Sequence, residues 1–302
     1  MLTQINNSYF YYKENCGIIN DYYQLIVEII KKILTNATNI SVNITLGNHP
    51  CNIFNNKNKT IIINLNWEHT LVKINGRDAN DAPPGNIICD DDNTNYLVRI
   101  DRYDELNNAD IIIDYSIPNI VNVLKSNLFH EISKKHIYIS SSIHELYFLK
   151  QNRDITTLTT FINIHEERRY KLLENIETLN IPHVNINNCF EKLQLQNLYQ
   201  HTKILINIHQ TPHHHTFEEL RVLPAIECGV IVICENSPLS HLIPYHNYII
   251  WSSYDDILNK VNEVINNYDY YHNLIFTQKS NILTELNNRN YETLNNAILK
   301  RL

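Results

Sequence analysis

Short runs of apolar, mostly β-branched residues recur along this chain, with room for a helix between one and the next. They lie at residues 60–65, 109–114, 203–208 and 230–234. Such runs, without polar alternation, are typical of strands buried on both faces, as in parallel sheets. The strand–helix alternation breaks near residues 145–156 and then restarts. The sequence therefore predicts an α/β fold of two Rossmann-like, doubly wound units.

The length and composition agree with two globular domains. A chain of 302 residues suits two α/β domains of ordinary size. Its hydrophobic content of 43% and charged content of 19% are those of a globular protein. We place the first domain at residues 1–150 and the second at residues 151–302.

Several classes of protein are disfavoured by charge and sequence pattern. A net charge of −7 argues against a nucleic-acid partner, which selects a basic face. No apolar stretch approaches the roughly 20 residues of a membrane span, and the N-terminus has no signal-peptide pattern. We therefore expect a cytoplasmic protein, in the host cytoplasm or the virion if its source is viral.

The glycines and cysteines exclude further classes. The five glycines are never close enough for the clustered phosphate loops of dehydrogenases or P-loop NTPases. The six cysteines are scattered without CxxC spacing, so neither a disulfide framework nor a cysteine–zinc site is expected. A phosphate site in this chain must rely on other groups.

The strongest candidate cluster is Glu218, Glu219 and Arg221, at the start of a predicted helix that follows the run at 203–208. Ligands of open α/β sheets bind at the carboxyl ends of strands. A helix N-terminus and an arginine suit a diphosphate, and a glutamate suits sugar or ribose hydroxyls. The alternative is a capping box, with Thr216 as N-cap and Glu219 three positions later.

Two other groups follow strands of the second half. Arg168 and Arg169 open a helix and either face the same diphosphate or form a solvated helix face. His209 lies near the triplet at 213–215, but consecutive histidines cannot all reach one ion and no HExxH motif is present. We expect no metal site here. One alternative is that a histidine hydrogen-bonds a phosphate, and the other is that the segment is a plain polar loop.

Two carboxylates follow strands of the first half. Glu68 and Asp114 are candidate catalytic bases, because a carboxylate at this edge can deprotonate an acceptor hydroxyl. The alternatives are an exposed loop charge for Glu68 and a cap or turn role before Pro118 for Asp114.

These segments together resemble the GT-B glycosyltransferases, of the group-1-like type found in bacteria and large DNA viruses. The second half carries KILINIH, FEELR, LPAIECGVIVICE and YIIW before YDDIL, with FINIHEERR upstream. The first half carries INLNWEH and IIIDYSIPN, which are similar to the N-x-E and D-Y-S-x-x-N segments of that group.

The resemblance implies roles for individual residues. Glu218 and Arg221 fall on the F-E-x-x-R positions, Arg168 on the arginine that opens the donor domain, and His209 on the N-I-H histidine. All four are then donor-binding residues, with Glu219 beside them. By the same resemblance, Glu68 and Asp114 line the cleft on the acceptor side.

One spacing gives two incompatible alignments. Glu219 and Glu227 have the E-x7-E spacing of many retaining GT-B enzymes. Alignment on the Cys228–Gly229 pair instead places Pro224 at the ribose-binding position. We favour the second alignment because the following strand fixes it, which leaves the stereochemistry of transfer open.

The resemblance also implies an activity. Residues 1–150 then form the acceptor side and residues 151–302 bind a nucleotide-diphosphate sugar, with the last helices bracing the first domain. A sugar passes to a hydroxyl of a glycan or other acceptor, without cofactor or metal. The alternatives are a non-catalytic nucleotide- or sugar-binding or assembly subunit, a sugar-nucleotide epimerase and a metallo-hydrolase. The base, the sugar and the acceptor are not given by the sequence.

Overall fold

The structure is a computed structural model that describes residues 1–47, 53–54, 56–67, 69–73, 85–88, 94–100, 102–126, 128–277 and 281–302. Within these residues the first half forms two sheets and four helices. The strands are β1 (Leu2–Ile5), β2 (Ser8–Tyr11), β3 (Val42–Leu46), β4 (Lys59–Leu65), β5 (His69–Lys73), β6 (Gly85–Ile88), β7 (Asn95–Ile100), β8 (Ile111–Asp114) and β9 (His136–Tyr138). The helices are α1 (Asn20–Asn36), α2 (Tyr103–Asn107), α3 (Ile117–Lys125) and α4 (His130–Ser133).

The main sheet of the first domain has the strand order β1-β2-β3-β4-β8-β9, parallel except for the β1–β2 hairpin. Its inner strands β3 and β8 are buried on both faces. In β8 this is because alternate residues belong to different cores. Ile111 and Ile113 pack with α1, whereas Ile112 packs with Val123 of α3 and Phe129. This double burial is the reason why the isoleucine run of β8 has no polar alternation.

The second half forms a parallel sheet of order β11-β10-β12-β13-β14. The strand order reverses between β10 and β12, which makes their carboxyl ends a topological switch point. The strands are β10 (Ile155–Thr159), β11 (His183–Asn185), β12 (Thr202–Asn207), β13 (Ile231–Glu235) and β14 (Ile249–Ser252). The helices are α5 (Glu167–Thr178), α6 (Lys192–Gln200), α7 (Glu219–Glu227), α8 (Ile257–Asn266), α9 (Tyr268–Phe276) and α10 (Ile282–Leu299).

The final helix, α10, joins the two domains. Leu283 and Leu286 near its start pack in the second core, whereas Leu294 and Ile298 pack in the first. The side chain of Asn290, midway along it, bonds both backbone groups of Ser140 in the interdomain linker, at 2.8 and 3.0 Å. Two α/β units that face a cleft, with a C-terminal helix bracing back, form the expected GT-B architecture.

The first half also contains a sheet that the sequence did not predict. Strand β7 pairs with β5 and β6 in a three-stranded antiparallel sheet of order β5-β7-β6. The capping-box alternative, with Thr216 as N-cap, is wrong, because helix α7 begins at Glu219 and Glu218 is its N-cap, without a side-chain bond. Thr216 does not cap it, because its hydroxyl accepts a hydrogen bond from the Leu71 amide. No helix in the described part of the chain is long and apolar enough to span a membrane.

Candidate functional site

A cleft of about 430 Å³ lies between the two domains. Its second-domain wall includes Thr160 and Asn163 after β10 and Gln210 after β12, which are the strand ends at the switch point. Its first-domain wall includes Ile19, Trp67 and Tyr115. The topology therefore places the cleft where ligands of open α/β sheets bind.

The start of helix α7 forms one side of this cleft. Glu218, Leu220 and Arg221 all line it. The Arg221 Nη1 donates to Asn207 Oδ1 at the end of β12, at 2.8 Å, and its Nη2 lies 3.9 Å from the half-exposed Glu218 carboxylate. Asn207 thus fixes the guanidinium beside a helix N-terminus, where the backbone dipole favours an anion.

Arg169 is the most unusual group on this wall. Its side chain is only 4% exposed and lies over the Phe161 ring, 4.9 Å from the ring centroid. Its Nε has no hydrogen-bond partner, and no ion pair among the described residues includes it. Burial, with the charge of Arg221 adding to it, lowers the pKa of Arg169 to about 10.

A buried cation without a counter-ion is costly. Glu218 and Glu166 offset part of the charge of Arg169 from a distance, but neither carboxylate bonds it. A second arginine, Arg221, lies close enough to oppose its charge. The arrangement is therefore complementary to an anion that reaches both guanidinium groups.

Part of the cleft lining is apolar. Ile162 and Phe190 line it while remaining 47% and 43% exposed, and Ile186 and Leu195 lie with them. The Thr160 hydroxyl on the same wall is buried without a hydrogen-bond partner. We call Ile162, Ile186, Phe190 and Leu195 the apolar shelf, and Arg169 with Arg221 the cationic corner. A cleft that contains both suits a ligand with one flat or apolar part and one anionic part.

The histidine loop, residues 209–215, does not converge on one point. His214 lines the cleft and its Nδ1 lies 2.6 Å from Thr211 Oγ1, whereas the His215 ring packs against Tyr96 and His209. Burial lowers the pKa of His215 to about 4. Among the described residues, no three histidine, cysteine or carboxylate side chains are grouped to hold a metal; that the activity needs no metal stays a prediction.

Two predicted donor-binding residues lie just behind the cleft wall. Arg168 pairs with the Glu235 carboxylate, at 2.6 and 2.5 Å, and stacks 3.9 Å from the centroid of the Tyr254 ring. His209 is buried, with its Nε2 2.9 Å from Asn236 O and its amide donating to Glu235. Neither residue lines the cleft, whereas the neighbours Arg169 and Gln210 do.

Two predicted carboxylates are enclosed in the protein. Asp114 is fully buried and accepts hydrogen bonds from the Ser116 amide and the Asn66 side chain, at 2.9 and 2.8 Å. Burial raises its pKa to about 7. Glu219 is 1% exposed and accepts a 2.6 Å bond from the Tyr245 hydroxyl. Neither side chain reaches the cleft, and the Asp114 contacts are those of the turn role that the sequence left open.

Glu68, the other candidate base, lies outside the described residues. Of the E-x7-E pair, Glu227 accepts hydrogen bonds from the linker amides of Ile143 and His144, at 3.1 and 2.9 Å. Pro224, which the alignment on Cys228–Gly229 places at the ribose-binding position, is buried within α7. Neither Glu227 nor Pro224 lines the cleft.

The sequence offered both Arg168 and Arg169 as residues that face the diphosphate, but the resemblance identified only Arg168 as donor-binding. The pattern of α5 carried the missing signal, because Leu172 and Ile176 mark its buried face and Arg169 lies on the same face at helical spacing. The apolar shelf around Phe190 had no signal of its own, because Ile162 follows β10 whereas the other residues lie between β11 and α6 or within α6.

No protein-family model matches this chain. The uncharacterized protein R358 of Acanthamoeba polyphaga mimivirus is 29% identical to it over 195 residues, which are 60% of this chain and 65% of that protein. The crystal structure of TarM aligns with 92% of this chain at 12% identity and a TM-score of 0.48. The alignment covers 58% of the TarM chain, so this chain spans under two thirds of both proteins.

Proposed function

We propose that this protein is a glycosyltransferase that moves a sugar from a nucleotide-diphosphate sugar to a hydroxyl of a glycan or other acceptor. The observation that carries the proposal is Arg169, a buried guanidinium that lines the cleft with Arg221 and has no paired carboxylate among the described residues. A diphosphate supplies negative charge to pair with Arg169 and Arg221, and it has enough oxygens to reach both arginines.

The rest of the cleft suits the remainder of such a donor. The apolar shelf of Ile162, Ile186 and Phe190 can hold a planar base, and the diphosphate then lies at the N-terminus of α7. The sugar extends toward the first-domain wall, where Trp67 and Tyr115 face it. An acceptor enters between that wall and the sugar.

In the reaction, the acceptor oxygen forms a bond to the anomeric carbon while the bond from that carbon to the diphosphate breaks. The nucleoside diphosphate leaves with the bonding electrons, and the hydroxyl proton passes to a base or to solvent. Arg169, Arg221 and the helix dipole stabilise the charge that develops on the leaving diphosphate. In this proposal they do the work that a metal does in other transferases.

One observation favours a second candidate, a non-catalytic nucleotide-binding subunit. Among the described residues, those that the first domain contributes to the cleft are Ile18, Ile19, Trp67 and Tyr115. None of these carries a carboxylate, and Asp114 is enclosed. Glu68 remains a proposed base of the transferase.

The experiment is a thermal-shift screen of chelator-treated protein against UDP, GDP, CDP, TDP and their sugars. A ligand at a hundredfold excess over its Kd stabilises the folded state by roughly 2.7 kcal/mol. We expect a shift with one base. Release of that nucleoside diphosphate when glycan acceptors are added supports the transferase. Binding without turnover favours the second candidate, conversion of the donor sugar without acceptor indicates an epimerase, and no shift at all contradicts both proposals.

A further inference from the structure

A segment of the second domain extends the small sheet of the first. Residue His214 forms an antiparallel bridge with Val72 of β5. The Lys73 amide donates to His213 O at 3.0 Å, and the His215 amide donates to Leu71 O at 2.9 Å. Because β5 is an edge strand of the β5-β7-β6 sheet, the second domain fills hydrogen-bonding positions that an edge leaves open.

We call residues 213–216 the interdomain strand. Its last hydrogen bond with β5 is donated by the Leu71 amide to Thr216 Oγ1, at 2.7 Å. The His215 ring packs on Tyr96 of the central strand β7, 5.3 Å between centroids, and Ser237 Oγ donates to His215 O. The segment is therefore held by both domains along its length.

The interdomain strand leads directly into the cationic corner. Thr216 lines the cleft and precedes the N-cap Glu218 by two residues, and Arg221 follows in the first turn of α7. At its other end, Thr211 Oγ1 accepts hydrogen bonds from the His213 and His214 amides, at 3.2 and 3.3 Å. The position of the α7 N-terminus thus depends on a contact with the first domain.

We propose that Thr216 is a positioning residue through which the small sheet of the first domain sets the diphosphate-binding end of α7. Its hydroxyl holds the chain at the entry to the helix, so that the amides of the first turn and Arg221 face the anion. The ligand part of this inference rests on the proposed function, whereas the mechanical part does not.

The test compares full-length Thr216→Val, which keeps the shape but removes the acceptor, with Thr216→Ser, which keeps it. Amide hydrogen exchange is measured at Leu71 and at residues 217–221 without ligand. The Kd for the nucleoside diphosphate that stabilises the wild type is measured in parallel. We expect Thr216→Val to exchange about tenfold faster at both places and to bind about tenfold more weakly, and Thr216→Ser to restore both values.

A second variant covers the case in which Thr216→Val does not fold. Lys73→Pro removes the amide that bonds His213 O, and proline is tolerated on edge strands. Wild-type exchange at residues 217–221 in a folded variant overturns the positioning role. A wild type that binds no nucleoside diphosphate contradicts the proposed function instead, and the exchange measurement still decides whether the small sheet fixes α7.

Discussion

The carboxylate of Glu235 binds the guanidinium of Arg168 through two contacts, at 2.6 and 2.5 Å. Although burial opposes it, the hydrogen bonds from Arg168 hold the pKa of Glu235 below its ordinary value. The next residue, Arg169, is more deeply buried and has no such carboxylate among the described residues. The two adjacent arginines therefore have different surroundings: Arg168 is paired with a carboxylate, whereas Arg169 lines the cleft.

This difference predicts opposite effects on stability. Arg168→Met leaves Glu235 without its partner and should lower the free energy of unfolding by about 3 kcal/mol. Arg169→Met removes a buried charge that no carboxylate among the described residues pairs with directly, so the ligand-free protein should be as stable as the wild type or more stable. Urea denaturation without ligand checks both values. A large loss of stability in Arg169→Met would mean that this arginine is structural.

A second prediction concerns Gly229, which ends α7 with φ of +72°. A Cβ there would lie 2.6 Å from Tyr147 O and 2.7 Å from the buried Arg153 side chain. Gly17 has a similar φ of +62° but open space around it. We expect Gly229→Ala to cost about 3 kcal/mol and Gly17→Ala about 1 kcal/mol in unfolding free energy. Equal losses would show that the close packing at Gly229 is unimportant.

A third prediction concerns the linker. Glu227 accepts hydrogen bonds from the Ile143 and His144 amides and from the Ser142 hydroxyl. In Glu227→Gln, a side-chain NH₂ faces these donors, which should cost on the order of 1–3 kcal/mol. Hydrogen exchange at residues 143 and 144 should accelerate, whereas the exposed control Glu145→Gln should leave it unchanged. Unchanged exchange in Glu227→Gln would show that Glu227 does not hold the linker at residues 143 and 144 against α7.

A fourth prediction concerns pH. Burial raises the pKa of Glu219 to about 8, so the folded state binds a proton that the unfolded chain releases near pH 4.5. The stabilisation is complete below pH 4.5, decreases as pH rises and is lost by about pH 8. Glu219→Gln should therefore flatten the fall of Tm between about pH 5 and 8, unlike the exposed control Glu292→Gln. Parallel Tm curves for Glu219→Gln and the wild type would contradict this assignment.

The sequence predicted the parallel framework well, because β4, β8, β12 and β13 are short apolar runs, which are typical of strands buried on both faces. The β5-β7-β6 sheet was not predicted, since its strands lie among polar, asparagine-rich residues and its core is completed by distant residues such as Ile112 and Phe129. The start of α7 was misplaced for a related reason. The hydroxyl of Thr216 is engaged by Leu71, a contact 145 residues away that no local pattern shows.

The candidate site was predicted at the level of segments rather than side chains. Arg221 and Glu218 line the cleft, and the choice between Arg168 and Arg169 depended on the helical phase of α5. Asp114 and Glu219 are buried and bonded inside the protein, Asp114 to Asn66 and Ser116 and Glu219 to Tyr245, so neither is a cleft residue. Proximity to a strand end indicates the correct edge but does not show which side chains reach the ligand.

In the proposed function, Arg169 binds the diphosphate of a nucleotide sugar. The most direct test of this binding is the Kd of the stabilising nucleoside diphosphate, measured by titration calorimetry in chelator-treated wild type, Arg169→Met and the exposed control Arg289→Met. We predict that Arg169→Met remains folded and binds at least about 30-fold more weakly, because a charge-assisted contact contributes about 2 kcal/mol or more, while Arg289→Met binds like the wild type. Equal affinity in a folded Arg169→Met would contradict the account.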